Sequence, residues 1–287
     1  MDVIRFNIKI IKNLKDILAL TKISRVLAMA CLAFIAGTGF AGPLSLTPKL
    51  VLGLLSIALG YAAFGVLNDI VDVRGDRITE ADRPIARGSL KIGSALLLFA
   101  VFLVSGLLVG SVISPAFLIF MAIELVLGVF YNLLAKGYGL LSYAVLALAH
   151  NTAPFLTGFA LVAPLNPEAF VAAGYLFLTI MPAIAIKDFK DVAGDSLLGK
   201  RTLPIAMGER RALKFTSVAF LLAPATFLLP YLTFSRSVSF LVCYAISSIW
   251  KISSHLVLRS NPTPGSIKSI LKGFRYSMGL ESAAWIS

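Results

Sequence analysis

The sequence predicts an all-α, polytopic membrane protein whose helices surround a central cavity, and three observations lead there. The 287 residues are 58% hydrophobic and only 14% charged, with a mean hydropathy of +0.90, whereas a soluble domain carries about 25% charged residues. Charge-free stretches of the roughly 20 residues needed to cross a ~30 Å hydrocarbon layer recur along the whole chain. Finally, one polar unit occurs twice, as Asp69-Ile-Val-Asp72-Val-Arg-Gly75-Asp76 and as Asp188-Phe-Lys-Asp191-Val-Ala-Gly194-Asp195.

Residues 1–24 hold five basic residues and no long apolar run, which reads as an amphipathic segment on the inner membrane surface, with no short cleavable signal peptide before the first span. About nine helices follow, over 25–43, 49–67, 92–110, 115–134, 139–162, 169–187, 213–231, 237–258 and 270–286. The uncharged run from Ile92 to Ile123 is too long for one crossing, and Ser111, Ser114 and Pro115 supply its turn. The stretch from Gly137 to Pro167 reads as one long helix bent at Pro154. With the N-terminus inside, 24 of the 26 basic residues fall on the inner side, and only Lys49 and Arg236 lie outside. The polar loops are thereby expected on the cytoplasmic side of the cell membrane. The net charge of +12 is then topology plus attraction to anionic membrane lipid, and calls for no nucleic-acid partner. Cys31 and Cys243 lie inside apolar helices without metal or redox spacing and read as packing residues.

The two acidic units continue alike, to Pro84-Ile-Ala-Arg-Gly88 and to Pro204-Ile-Ala-Met-Gly208. They lie 119 residues apart and follow the second and sixth helices, so both open on the same side. That pattern predicts a parallel duplication, with halves of roughly 25–134 and 139–258 facing each other across one cavity within a single membrane-embedded domain over 1–287.

If each motif continues the helix before it, Asp69, Asp72 and Asp76 share a face, as do Asp188, Asp191 and Asp195, and Asn68 aligns with Asp72 and Asp76. Carboxylates at that spacing repel one another, and a hard divalent cation removes the conflict. Oxygen ligands without histidine or cysteine select magnesium or calcium, and magnesium held by a few carboxylates shares its other positions with water and substrate phosphate. The structural alternative is a solvated acidic helix end. Among the basic residues of the two loops, Arg83 and Arg87 are one turn apart if that segment is helical, and are the favoured donors to a metal-bound diphosphate.

At the inner end of the fourth helix stand Tyr131 and Lys136, which alone would be ordinary interfacial anchors. Glu124 lies seven residues before Tyr131, near mid-membrane, where a charge costs about 2.5–3.5 kcal/mol. Its expected partner is His150 at matching depth on the fifth helix. The pair reads either as a buried structural contact or as part of an acceptor pocket.

Asn68-Asp69-Ile-Val-Asp72-Val-Arg-Gly75-Asp76 resembles the N-D-x-x-D-x-x-x-D motif of the UbiA-type intramembrane prenyltransferases. Asp191-Val-Ala-Gly-Asp195 resembles their second D-x-x-x-D motif, and Tyr131 with Lys136 their tyrosine-lysine motif, one residue longer than the usual Y-x-x-x-K. The nine-helix plan matches along nearly the whole chain. The resemblance implies Asn68, Asp72, Asp76, Asp191 and Asp195 as magnesium-diphosphate residues, with Asp69 and Asp188 supporting and Lys136 reaching the diphosphate. Asp72, Asp76, Asp191, Asp195, Lys136 and Tyr131 would form the catalytic set. It further implies magnesium-assisted ionisation of an allylic prenyl diphosphate to a cation that a hydrophobic acceptor attacks, inside a cavity that excludes water.

The stretch from Lys187 to Ile205 resembles archaeal members that attach a geranylgeranyl chain to geranylgeranylglyceryl phosphate, and also members that prenylate aromatic rings for quinones. Leu20-Thr-Lys22-Ile-Ser-Arg25 lacks the Arg-Pro pair found there in many relatives, so no acceptor contact is carried over. Two other classes remain open: a cation or proton transporter, whose acids should cluster at the midplane, and a terpene cyclase on the same scaffold.

Overall fold

The computed structural model describes residues 14–23, 27–79, 82–225, 228–234, 237–260 and 262–286, and among them there is no strand. A helical segment over 14–21 precedes α1, which joins a π-helical turn, Leu27–Cys31, to Leu32–Ala41. Then come α2 (Pro48–Thr79), α3 (Ile92–Ser111) and α4 (Pro115–Phe130), the last running on through a π-turn, Tyr131–Ala135. Helix α5 spans Gly139–Ala147, a π-turn at Leu148–Thr152, and Ala153–Val162. Helix α6 (Pro167–Ala185) ends in a 3₁₀ turn, Ile186–Lys190. Short helices α7 (Val192–Leu197) and α8 (Leu203–Met207) lead to α9 (Glu209–Ala225), α10 (Leu228–Thr233), α11 (Val238–Ser260) and α12 (Pro264–Ile286).

The chain is an integral membrane protein. Among the described residues six helices are long and apolar enough to cross a membrane: Pro48–Ile78, Ile92–Ser111, Pro115–Ala135, Gly139–Val162, Pro167–Lys190 and Val238–Ser260. The apolar helix Ala28–Ala41 is shorter, and α12 carries Lys268, Lys272, Arg275 and Glu281, so length and composition alone identify fewer spans than the nine expected. The expected amphipathic segment 1–24 and the expected spans 25–43 and 213–231 lie partly outside the described residues.

Helix boundaries follow local chemistry. Ser114 accepts a hydrogen bond from the Phe117 N–H at 3.1 Å with Pro115 in the first turn, so the long apolar run breaks where expected. Asn166 caps α6 by accepting from the Ala169 N–H at 2.9 Å. Thr263 and Ser266 cap α12 reciprocally, each side-chain oxygen accepting from the other's backbone N–H at 3.2 and 3.1 Å, and α12 therefore starts before the expected residue 270. In α5, where a bend is expected at Pro154, a π-turn at Leu148–Thr152 precedes that proline, whose missing N–H cannot bond four residues back.

The two acidic motifs fold differently. At 1.5 Å per residue the 32 residues of α2 extend about 48 Å, well beyond the ~30 Å of hydrocarbon, and Asp69, Asp72 and Asp76 ride on its projecting end as expected. The second motif does not continue its helix. Asp191 leaves helical geometry (φ −113°, ψ 10°) between the 3₁₀ turn and α7, so Asp188, Asp191 and Asp195 do not form one helical face. Both Pro-Ile-Ala units nevertheless end on a glycine of positive φ, Gly88 at 77° and Gly208 at 80°, a conformation only glycine enters without cost.

Helix α1 crosses α5 at backbone contact. A Cβ on Gly158 would meet the Phe34 carbonyl oxygen at 2.0 Å, and one on Gly37 would meet the Phe155 carbonyl oxygen at 1.8 Å. Beside the crossing, Phe155, Phe40 and Phe240 surround Trp285, whose indole N–H donates to the Tyr244 hydroxyl at 2.6 Å. This joins α1 and α5 to α11 and α12. Gly158→Ala should therefore lower the thermal midpoint of the detergent-purified protein, at a cost of about 1–3 kcal/mol. Gly174→Ala, on α6 with nothing within 4 Å of its added methyl, should leave the midpoint unchanged or raise it. Equal midpoints for Gly158→Ala and the parent protein would refute the close crossing.

Candidate functional site

A cavity of about 290 Å³ is lined by residues of α1, α2, α4, α5, α6, α11 and α12, matching the central cavity expected. Along α2 the lining residues Tyr61, Phe64, Gly65, Asn68 and Asp72 recur at helical spacing, so one face of one helix passes from aromatic to acidic over ~16 Å. Across the cavity stand Tyr131, Lys136, Lys187, Lys190, Asp191 and Lys200. The two motifs thus share one chamber.

Each motif carboxylate has a donor beside it, most of them from other segments of the chain. Asp72 is ion-paired with Lys136. Asp69, 2% exposed, takes Lys22 at 2.7 Å and Arg83 at 3.1 Å, and Arg83 also reaches Asp76 at 2.6 Å. Asp188 accepts from the buried Tyr143 hydroxyl at 2.6 Å, and Lys190 lies 3.2 Å from Asp191. Lys200 does something different: its ammonium is 2.6 Å from Asp195 of the second motif and 3.8 Å from Asp72 of the first. Burial by itself would lower the pKa of Lys200, but the hydrogen bond to Asp195 and the charge of Asp72 outweigh it and raise the pKa above the ordinary lysine value. Lys200 therefore stays charged at neutral pH.

Tyr131 and Lys136 sit on either side of a π-turn in which the Lys136 N–H bonds to the Tyr131 carbonyl at 2.9 Å. A π-turn accommodates one extra residue within a helix, which explains how the longer Tyr131-to-Lys136 spacing still brings Lys136 to Asp72. The phenol oxygen of Tyr131 accepts from Lys187, whose ammonium is 4.9 Å from the ring centroid.

Among the residues singled out from sequence, Asn68, Asp72, Asp191, Tyr131, Lys136, Arg83, Asp188 and His150 line the cavity. Asp69, Asp76 and Asp195 lie behind the lining and are tied to it through Arg83, Lys22 and Lys200. Arg87 does not join Arg83. Residues 83–88 form turns rather than a helix, and the Arg87 side chain runs outward to pair with Asp16 and to donate to the Asp82 carbonyl at 2.7 Å. Nor do Glu124 and His150 pair. Both oxygens of the fully buried Glu124 lack a hydrogen-bond partner among the described residues, while His150 sits in the cavity against Tyr61 at 4.5 Å and within 6.4 and 6.5 Å of Phe64 and Tyr131. Matching depth did not imply matching direction around the helix.

Three contributors escaped the sequence reading. Lys22 is held at φ 51°, a left-handed conformation costing roughly 1–2 kcal/mol for a side chain of this kind, and donates to the Asn68 side-chain oxygen at 2.7 Å. Asn132, within the tyrosine-lysine stretch, accepts from Asn68 at 3.2 Å and donates to the Gly128 carbonyl at 2.9 Å, which fixes the orientation of the Asn68 amide. Tyr143 carried no signal, being one tyrosine in an apolar helix.

Among the described residues no three His, Cys, Asp or Glu side chains converge closely enough to hold a metal unaided. Asn68, Asp72 and Asp191 nonetheless present oxygen donors to one chamber, and Lys200 places positive charge between the motifs. Such a set suits magnesium of the kind that a few carboxylates hold jointly with substrate phosphate, rather than a closed protein cage.

The chain matches the family described as the UbiA prenyltransferase family over residues 26–278. It is 32% identical over 203 residues to the digeranylgeranylglyceryl phosphate synthase of Methanoculleus marisnigri, covering 70% of this chain and 71% of that one. To the synthase of the same name from Natronomonas pharaonis it is 32% identical over 223 residues, covering 76% and 79%. A structure of a UbiA homolog from Archaeoglobus fulgidus bound to DMAPP and Mg2+ superposes with a TM-score of 0.76 at 20% identity, covering 94% and 99%, a likeness of fold. A digeranylgeranylglyceryl phosphate synthase structure gives 0.70 at 25% identity, covering 96% and 98%.

The bridging position of Lys200 has a measurable consequence. Lys200→Met should destabilise the ligand-free protein by about 1–2 kcal/mol, because Asp72 and Asp195 lose shared compensation. Magnesium and inorganic diphosphate together should narrow the gap in thermal midpoint by supplying positive charge and ligands in its place. A gap that magnesium and diphosphate leave unchanged would count against a shared two-motif site.

Proposed function

Because the chain belongs to the UbiA prenyltransferase family and is a membrane-embedded prenyltransferase, we propose that it transfers a geranylgeranyl group from its allylic diphosphate to a lipid-phosphate acceptor with magnesium. The observation that carries the donor half is the Lys200 ammonium lying between Asp72 and Asp195, which makes one anion site of two motifs. The acceptor class is supported by relatives at up to 32% identity that are named digeranylgeranylglyceryl phosphate synthase. We place the motif loops on the cytoplasmic side, where the basic residues concentrate.

Asn68, Asp72 and Asp191 would hold magnesium with Asp76 and Asp195 as supports, and the metal would draw charge from the departing diphosphate. Lys136 and Lys200 donate to the phosphate oxygens from two sides, as charge-assisted hydrogen bonds that strengthen while the carbon–oxygen bond breaks. The prenyl chain lies along the aromatic face of α2. The ring of Tyr131 already carries Lys187 over it, so Tyr61, Phe64 and His150 are the rings beside it that would face an allylic cation. The apolar wall keeps water from that cation. An acceptor hydroxyl then forms the new carbon–oxygen bond, and its proton passes to the released diphosphate.

Asp72→Ala and Asp191→Ala should each lower turnover at least ~100-fold while the protein stays folded, since each removes a ligand from a different motif. The assay supplies labelled geranylgeranyl diphosphate, magnesium and a panel of lipid-phosphate and aromatic acceptors to the purified protein. Full activity in either variant would sink the two-motif site, and a cyclic hydrocarbon as the labelled product would replace transfer by cyclisation. Chelation should stop the reaction, and calcium should restore it poorly, because its longer and more flexible coordination fits a compact site badly.

A further inference from the structure

Each of the three groups assigned to magnesium above already has an ammonium of this chain beside it. Asp72 is paired with Lys136, Lys190 lies 3.2 Å from Asp191, and Lys22 donates to the Asn68 side-chain oxygen at 2.7 Å. Lysines thus stand where a metal's charge would come. Among the described residues Lys22 is the only one other than glycine with a positive φ, 51°, so a change at its side chain can be felt by the backbone.

The Asn68 amide is not free to turn its oxygen elsewhere. Its nitrogen donates to Asn132 at 3.2 Å, and Asn132 is fixed in turn by donating to the Gly128 carbonyl at 2.9 Å. A divalent cation that takes this oxygen meets the Lys22 ammonium there, and two positive charges on one amide at a low-dielectric boundary repel strongly. Lys22 can leave without stranding its other partner. It shares one oxygen of Asp69 with Arg83, Lys22 at 2.7 Å and Arg83 at 3.1 Å. Leaving also lets its backbone abandon a left-handed conformation.

Lys22 follows the helical segment 14–21, and Thr21 and Lys22 both line the chamber. Leu20 is fully buried, and its carbonyl lies so close to α2 that a Cβ on Gly65 would meet it at 2.8 Å. The other end of the segment is fastened separately: Asp16 pairs with Arg87 and accepts from the Ser89 hydroxyl at 2.7 Å.

We propose that Lys22 is a latch, a placeholder cation that holds Asn68 and pins the end of segment 14–21 against the chamber until magnesium and diphosphate bind. The inference rests on the assignment of Asn68 to magnesium given above. Lys22 gives up Asn68 on loading, so residues 19–23 loosen while the two motifs tighten, and Asp16 keeps the far end of the segment attached. The same competition holds the metal affinity of the site below what its oxygens alone would give.

Hydrogen–deuterium exchange of the detergent-purified protein, alone and with magnesium plus inorganic diphosphate, tests this. Amide exchange across 19–23 should rise about tenfold on loading, as when a local structure loses one charge-assisted hydrogen bond, while residues 68–76 and 188–195 become more protected. Lys22→Met should show the faster exchange without ligand and no further rise on loading. It should also reach half-maximal protection of residues 68–76 at a lower magnesium concentration than the parent protein. Lys200→Met is the control for charge: it removes a cation from the same site, yet should keep the loading-dependent rise across 19–23. If the motifs of the parent protein become protected while 19–23 slows or does not change, the latch is overturned and the metal site stands, and this arm requires no variant to fold. A Lys22→Met protein that needs more magnesium than the parent overturns it as well. Loading that protects neither motif of the parent protein removes the metal–diphosphate reading, and the latch with it.

Discussion

The structure is organised by the need to accommodate six aspartates at the end of an apolar bundle. Carboxylates that close together at a low-dielectric boundary repel one another strongly, and the chain meets the conflict with donors drawn from distant segments. Lys22 comes from the segment before α1, Arg83 from the loop after α2, Lys136 from the end of α4, and Lys200 from the connection between α7 and α8. Each such bond ties a peripheral segment to the site. The left-handed backbone of Lys22 fits this view: the strain is offset by two charge-assisted hydrogen bonds, each worth about 1.5–3 kcal/mol.

Departures from regular helix follow the same demand. The π-turn at Tyr131–Ala135 carries Tyr131 and Asn132 into the site and ends beside Lys136, and the π-turn at Leu148–Thr152 carries His150. Widened turns release backbone groups and swing side chains out of the regular register, which lets α4 and α5 point polar groups into the chamber while their remaining faces pack against apolar neighbours. Glu124, about two turns before the first π-turn, lies on regular helix and is not among the residues that line the chamber.

Composition and charge-free runs made the helical membrane architecture legible, because crossing hydrocarbon constrains length and polarity at almost every position. The motifs made most of the site legible too, since D-x-x-D-V-x-G-D written twice has few alternatives. What escaped depended on direction rather than type. Arg83 and Arg87 look equivalent in sequence, yet residues 83–88 form turns rather than a helix, and one arginine reaches Asp69 and Asp76 while the other reaches Asp16. Glu124 and His150 are matched in depth by sequence spacing, yet only His150 lines the cavity and Glu124 makes no hydrogen bond among the described residues. Lys22 and Tyr143 are ordinary residues that tertiary packing alone brings to a carboxylate, and no local pattern marks such a meeting.

The repeated motif is informative where its two copies disagree. The first motif stays on a continuous helix, so Asn68 and Asp72 have fixed positions on a stiff wall. The second is broken by a 3₁₀ turn, and that break separates the tasks of adjacent residues. Asp188 turns back to Tyr143, Lys187 reaches Tyr131, and Asp191 lines the cavity with its side chain 38% exposed. A helix could not aim three nearly consecutive side chains in those directions, because residues one and three apart sit at set angles around its axis. The repeated sequence therefore provides two unlike components: a rigid carboxylate face, and a folded turn that brings a carboxylate and a lysine to the same chamber. Lys200, between α7 and α8, reaches a carboxylate of each motif.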